Sequence, residues 1–452
     1  MANRAAIPYK IIHHANLFTD FLIQSFHFTL SLFSFIAPAS LFKATMATSC
    51  FALTASSIRD LSRSKPMEFQ TKYGRVRICD SIPDDLLPVW HQSFAQFDHD
   101  HRYYELTHSS LSGQFDQYYL LLDNKQGETQ AIQPFFLVTH DLLEGLSPVI
   151  KRAADRVRQY LPNFMAMRML MVGSPAGEGE LAHAISETAI DWVSEALHEA
   201  LPAVAKRFST PLIVLKDFPK HYRPVLSNFS SNGYSRLPSM PATELKLNYD
   251  NFDHYVTTTL SKKTRQNLRK KFKDAAKFPP ITLEVVNDLE PYIDIVYPLY
   301  QQVLKRATLK FEELSRDYFL ELGRTMPDRT RFFLWRMEGR IVAFSVCIVN
   351  DGTLYDKYIG IDYSIALDAH LYFITLRDTI EWAIQNKIET YYSAPLNYDP
   401  KRHLRQKLVP LDLYACHTTG WINSIFRRMV GLLGPTRHDP ILAEFENFKD
   451  LE

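Results

Sequence analysis

One order of segments occurs twice along this chain, and that repeat limits the fold more than any single motif. In the first half, residues 75–79 read as a strand. Residues 83–97 read as a helix with Leu86, Leu87, Trp90 and Phe94 on one face. Two apolar runs, 117–123 and 130–139, flank the turn residues at 124–127 and predict a hairpin. A strand at 165–172, a glycine-rich turn, a long helix from 180 to about 208 and a buried strand at 211–216 follow. The second half gives a strand at 243–247, a basic helical stretch at 252–277, a strand at 281–286 and a helix at 289–304. A hairpin at 331–337 and 341–349, a strand at 353–358, a helix at 369–386 and a strand at 387–393 complete it. Strands alternating with helices predict an α/β fold. The shared order, without residue identity between the halves, predicts duplication of one unit.

At 452 residues the chain is long enough for two domains. The expected division is 67–242 and 243–430, with a tail at 431–452 and a non-core extension at 1–66. Residues 21–42 of that extension carry no charge but include Gln24, Ser25, His27 and Pro38. The stretch is long enough to span a bilayer. Three readings of it stay open: a membrane anchor, a cleaved signal with small residues near 37–40, or a spurious extension ahead of a start at Met67. The third is favoured. A formal net charge of +1 argues against bulk binding to nucleic acid and leaves room for a local basic patch. Cys50, Cys79, Cys347 and Cys416 form no CxxC pair, so reduced thiols in a cytoplasmic protein are expected. No spacing of histidines suggests a metal site, Asp98-His99-Asp100-His101 included.

The stretch LSKKTRQNLRKKFKDA at 260–275 resembles the start of the second domain in Fem-type peptidoglycan aminoacyl transferases and in CelD-like proteins of the GNAT acyltransferase superfamily. The hairpin FFLWRMEGRIVAFSVCI at 332–348, the segment LYDKYIGIDYSIALDAHLYFITLRDTIEWAI at 354–384 and the basic run from Tyr398 to Leu404 are similar to the same group. The resemblance implies tandem GNAT-like domains, each a mixed, mostly antiparallel sheet flanked by helices. It implies transfer of an acyl or aminoacyl group from acyl-coenzyme A, or from aminoacyl-tRNA, to an amine. The acceptor could be a cell-wall or other cell-envelope precursor. No permanently bound cofactor is expected, nor any DNA partner. Where this group often has a glycine before its last long helix, this chain has Leu367-Asp368-Ala369-His370.

Site candidates follow. Gly173, Gly177 and Gly179, with Ala369 in the second half, are candidates for a cofactor pyrophosphate, because open amides at a helix start attract phosphate. Seven basic residues lie within the twelve from Lys262 to Lys273. Lys262, Arg265 and Arg269 fall on one helical face, and the two guanidinium groups could clamp a phosphate. Lys401, Arg402 and Arg405 form a second basic cluster, offered for a phosphate or a substrate carboxylate. In a strand, Asp356 and Tyr358 share one face and Tyr355 and Lys357 the other. Asp356 is the candidate general base and Tyr358 the candidate acid for the departing thiolate. A different class of function also fits. The basic helix could grip a polyanion or anionic lipid without turnover, which a membrane-proximal 21–42 would favour.

Overall fold

The computed structural model describes residues 67–141, 166–183, 190–307, 311–429 and 439–452, with scattered positions between 152 and 159. The 21–42 stretch lies outside them, and among the described residues no helix is long and apolar enough to cross a membrane.

The first half contributes β1 (Met67–Thr71), β2 (Gly74–Cys79), α1 (Leu87–Ser93), α2 (His101–Ser110), β3 (Asp116–Asp123), β4 (Thr129–Asp141), β5 (Ala166–Val172), α3 (Ile190–Arg207), β6 (Leu212–Pro219), α4 (Ser227–Ser231) and β7 (Ser235–Pro238). The second contributes β8 (Ala242–Lys246), α5 (Phe252–Thr259), α6 (Lys262–Ala275), β9 (Ile281–Val286), α7 (Ile293–Arg306), α8 (Arg316–Thr325), β10 (Thr330–Met337), β11 (Arg340–Asn350), β12 (Thr353–Ile361), α9 (Leu371–Gln385), β13 (Thr390–Ser393), α10 (Tyr398–His403), β14 (Lys407–Val409), β15 (Leu411–His417) and α11 (Gly420–Met429).

Two sheets result, with the orders β1-β2-β3-β4-β5-β6-β15-β7 and β9-β10-β11-β12-β13-β8-β14. Apart from the edge strand β1, the orders superimpose. In each, one parallel pair interrupts an otherwise antiparallel sheet: β5 with β6, and β12 with β13. Beyond that pair the first sheet takes a strand from the other half, whereas the second uses β8 of its own half. β15, at the end of the second half, pairs with β6 and β7, while β8, just after the first half, pairs with β13 and β14. The division at 243–430 therefore places β15 in the second unit, whereas the sheets place it in the first. Leu411, Tyr414 and Ala415 of β15 are buried there. A side chain of leucine size, once buried, stabilises by roughly 1.5–3 kcal/mol, so the first sheet does not close well without β15.

Three further elements depart from the sequence reading. Residues 252–277 form two helices rather than one, because Ser261 caps α6 by accepting a hydrogen bond from the amide of Thr264. Residues 180–183 are not helical, and the described helix in that region begins at Ile190. The helices α2 and α8 went unread, yet they pack against each other across the halves. The core between the sheets draws on both halves, with Tyr103, Leu106 and Phe136 from one and Tyr318, Phe319 and Phe344 from the other.

Candidate functional site

The parallel pair β12–β13 is short. Pairing runs from Thr353–Thr390 to Asp356–Ser393, and Ala394 donates its amide to the Asp356 carbonyl. Beyond that point β12 continues to Ile361 paired with β11 alone. The two strands fork, and one edge of β12 is left outside the ladder.

A bulge sits where the fork opens. Val346 faces Tyr358 and Cys347 faces Asp356, so Lys357 is an extra residue in β12. One added residue reverses the alternation that follows it. The expectation that Asp356 and Tyr358 share a face is therefore overturned. Asp356 lies on the face of Cys347 and Tyr391, whereas Tyr355 and Tyr358 pack on the core between the sheets.

Asp356 is engaged on its own face. It accepts from the hydroxyls of Ser345 at 2.5 Å and Tyr391 at 2.7 Å, with the Cys347 thiol at 3.7 Å. Burial raises its pKa against the pull of those donors. Lys401 is buried beside it, and its ammonium group donates to the Ala394 carbonyl. Burial lowers the Lys401 pKa to about 7, with Asp356 opposing. The pair holds the corner from which β13 turns away. Nothing in this geometry offers the Asp356 carboxylate to an incoming amine.

Tyr358 faces the seam between the halves. Its hydroxyl donates to Glu312 at 3.1 Å. Glu312 is half-buried, and burial raises its pKa while Lys216 and the Tyr358 hydrogen bond oppose. Burial and Glu312 hold Tyr358 well above the ordinary phenol value, so it carries its proton. Tyr103 and Tyr318, linked at 2.7 Å between hydroxyls, close the wall next to Tyr358.

The first half supplies the other wall. The Lys357 ammonium lies 2.8 Å from Asp98, and both side chains are 9% exposed. Burial works against the Lys357 charge, but Asp98 and Glu178 overcome it and hold its pKa above the usual lysine value. Glu178 accepts from the Tyr392 hydroxyl of β13 at 2.7 Å. Burial drives the His99 pKa down to about 3, so its imidazole stands neutral beside Asp98. Lys216 donates to the Gly177 carbonyl at 2.9 Å and pairs with Asp217 at 2.6 Å. Sequence reasoning singled out none of Glu312, Lys357 or Lys216 for chemistry, and passed over Asp98 and His99. The usable signal was a run of polar residues, 98–101, between aromatic positions that pack.

The remaining candidates separate. The loop at 173–179 is packed rather than open. A Cβ on Gly177 would meet the His99 ring at 2.2 Å, and one on Gly179 would meet the Lys216 carbonyl at 2.2 Å. Residues 180–183 are not helical, so the turn does not lead into a helix at Glu180 as expected. Ala369 is buried and its amide donates to the Ile365 carbonyl. Arg265 is turned onto the carbonyls of Thr257 and Leu260, at 3.1 and 2.7 Å, and does not form a clamp with Arg269. Lys262, Lys263, Arg269, Lys270 and Lys273 are exposed, and none is ion-paired among the described residues. Lys271 stacks over Phe373 in the first turn of α9, 4.2 Å from its ring centre, which sets the basic helix beside that terminus. Arg402 pairs with Asp399 and Glu444, and Arg405 with Glu446, so the second basic cluster is neutralised by acids close in sequence and from the tail. A cavity of about 1130 Å³ lies elsewhere, on the far face of the first sheet near His198 and Tyr234, and contains none of these groups.

Residues 262–402 match the model of a family described as an acetyltransferase (GNAT) domain. The chain is also similar to a Mycobacterium tuberculosis protein named putative 8-amino-7-oxononanoate synthase 2, at 21% identity over 340 residues. That match covers 73% of this chain and 44% of the relative, so the chain spans less than half the length of the curated relatives it matches. Among solved structures it is similar to the C-terminal domain of a putative lysylphosphatidylglycerol synthetase from Agrobacterium fabrum, with 12% identity, a TM-score of 0.45, and coverage of 77% of this chain and 96% of that one. It is similar to FemX at 10% identity and a TM-score of 0.43, over 69% of this chain and 90% of that one. The residues that match the acetyltransferase (GNAT) domain model, 262–402, are those that hold the basic helix, the bulged strand and the Lys401 corner, and the first half forms a second sheet of the same strand order.

Proposed function

We propose that this chain transfers an acyl group from a coenzyme A thioester to an amine at the fork between β12 and β13. The observation that carries this reading is the free edge of β12 from Lys357 to Ile361. A ligand with amide groups along an extended arm can bond there as a strand would. The pantetheine arm of coenzyme A has that character. Its phosphates would lie toward the start of α9 and the exposed Arg269 and Lys270 of α6, where the helix dipole and the cations favour them. An aminoacyl-tRNA donor would use the same basic helix more extensively.

The reaction asks little covalent chemistry of the protein. The amine nitrogen attacks the acyl carbon, and the carbon–sulfur bond breaks. Glu312 takes the proton of the amine. Its raised pKa makes it a better base than an ordinary carboxylate. Tyr358 gives its proton to the departing sulfur, and the Tyr358–Glu312 hydrogen bond then returns a proton from the acid to the phenolate. Of the two catalytic residues expected from the sequence, Tyr358 keeps its role and Glu312 takes that of Asp356. The acceptor, whether a cell-envelope precursor or another amine, enters along the seam.

Calorimetric titration of the full chain with acetyl-coenzyme A tests the donor. Micromolar binding that weakens when Arg269 and Lys270 are replaced supports the reading. Absence of heat with acetyl-coenzyme A and with longer acyl thioesters would rule out the thioester donor.

A further inference from the structure

The first half contains neither the open fork nor the Glu312–Tyr358 pair, yet it reaches the bulge. We infer that Asp98 and Glu178 are positioning residues for the transfer site of the second half, Asp98 acting through Lys357 and Glu178 through Tyr392. This inference rests on the function proposed above.

The argument starts at the bulge. Lys357 is the residue in β12 without a cross-strand partner on β11. No ladder register fixes its side chain, so another contact must. Its ammonium goes to Asp98, 2.8 Å away, with both side chains almost wholly out of water. Breaking such a pair leaves an uncompensated charge, so the bulge has one strongly preferred geometry. The second contact is on the other arm of the fork. Tyr392 of β13 donates to Glu178 at 2.7 Å. One wall of the first half thus holds β12 through Asp98 and β13 through Glu178, on either side of the opening.

The loop that carries Glu178 is itself fixed. Gly177 packs on the His99 ring, and its carbonyl accepts from Lys216. His99 adjoins Asp98 and stacks on Tyr103 with ring centres 4.0 Å apart. Both carboxylates therefore belong to one packed unit. Tyr358 follows Lys357 directly, so a change in the bulge moves the Tyr358 hydroxyl relative to Glu312. A displacement of about 1 Å at a reacting group can cost as much as a hundredfold in rate.

The test compares Asp98→Asn, Lys357→Met and the double variant in the full chain. Expected is a drop in kcat of roughly ten- to a hundredfold for each, with a smaller loss of acetyl-coenzyme A affinity, since the donor edge begins at the same bulge. The double variant should be no worse than the poorer single, because both act on one contact. Asp98→Glu should recover part of kcat. If Asp98→Asn fails to fold because Lys357 has lost its closest partner, the double variant carries the test, since it removes both members of the Asp98–Lys357 pair and leaves Glu178 its hydrogen bond from Tyr392. A double variant with parental kcat, or one that loses donor binding and kcat in equal measure, overturns the inference. Hydrogen exchange at the amides of 357–361 gives an independent reading without substrate. Faster exchange confined to that segment and to 390–394 is expected in the double variant, and unchanged exchange there overturns the inference. Faster exchange in a chain that transfers nothing would instead sink the proposed function and leave the positioning contact standing.

Discussion

The two sheets fork at the same place, and they treat the fork differently. In the first sheet β5 leaves β6 after Val172–Leu215. The chain then folds back into the opening: Gly179 donates to the Asp217 carbonyl at 3.1 Å, and the Gly177 carbonyl receives Lys216. That fork is filled by its own loop. In the second sheet β12 runs on past its last contact with β13, with a bulge at the divergence and a tyrosine–carboxyl pair beside it. A duplicated unit has one sealed copy and one open copy. The sealed copy turns its polar groups outward, across the seam, onto the open one.

That difference is broken most directly at Glu312. Glu312→Gln should lower kcat by roughly 10²–10⁴-fold, the usual range for loss of a general base, while the packing around Tyr358 survives. The pH dependence follows in sign. The base works as a carboxylate, so activity falls as pH drops through its pKa. Burial raises that pKa above the ordinary glutamate value, so the acid limb of kcat/KM should lie above it. Glu312→Gln should remove the limb along with most of the rate. Parental kcat in this variant, measured with any acyl thioester and amine pair the chain accepts, would mean that the open fork is not where transfer occurs.

The sealed fork gives the next largest effect, on stability rather than rate. Gly177→Ala places a methyl 2.2 Å from a buried ring at a φ of +150°, where a side chain is strained. Overpacking of this kind typically costs about 1–3 kcal/mol. At roughly 2–4 °C per kcal/mol for a domain of this size, the melting temperature should fall measurably. Gly339→Ala is the control, with a φ of +77° but nothing within 4 Å of the new Cβ. Donor affinity should hold in both. Weaker donor binding in Gly177→Ala at an unchanged melting temperature would restore the first half as the coenzyme site and reverse the comparison.

How much of this was legible in the sequence depends on range. The element order was readable because period-2 and period-3.6 patterns are local. The placement of β15 was not, because it follows β14 of the second sheet in sequence and pairs with β6 and β7 of the first. The bulge left no trace either: Tyr355-Asp356-Lys357-Tyr358 reads as a plain alternating strand, and the extra residue appears only against β11. The break after Leu260 was within reach, since a serine just ahead of a helical run, as at Ser261, is an ordinary helix-start signal. The family resemblance was carried by the basic run at 260–275, the hairpin at 332–348, the segment at 354–384 and the run from Tyr398 to Leu404, all local. The carboxylates from the first half could not be attached to it without the fold.

The smallest effects separate two arginines that the sequence treats alike. Arg265 and Arg269 lie one turn apart on α6, and both were offered to phosphate. Arg265 instead closes the end of α5 by bonding two of its carbonyls. Arg265→Ala should lower stability by about 1 kcal/mol and leave donor affinity alone. Arg269 and Lys270 are exposed, and neither is ion-paired among the described residues. Exposed charge contacts are worth roughly 0.5–1 kcal/mol each, so Arg269→Ala and Lys270→Ala should each weaken donor binding about two- to fivefold. The loss should shrink as salt is raised, because the interaction is screened. The opposite pattern, with Arg265→Ala costing affinity and Arg269→Ala costing only stability, would place the donor on the α5 side of the basic helix and away from the start of α9.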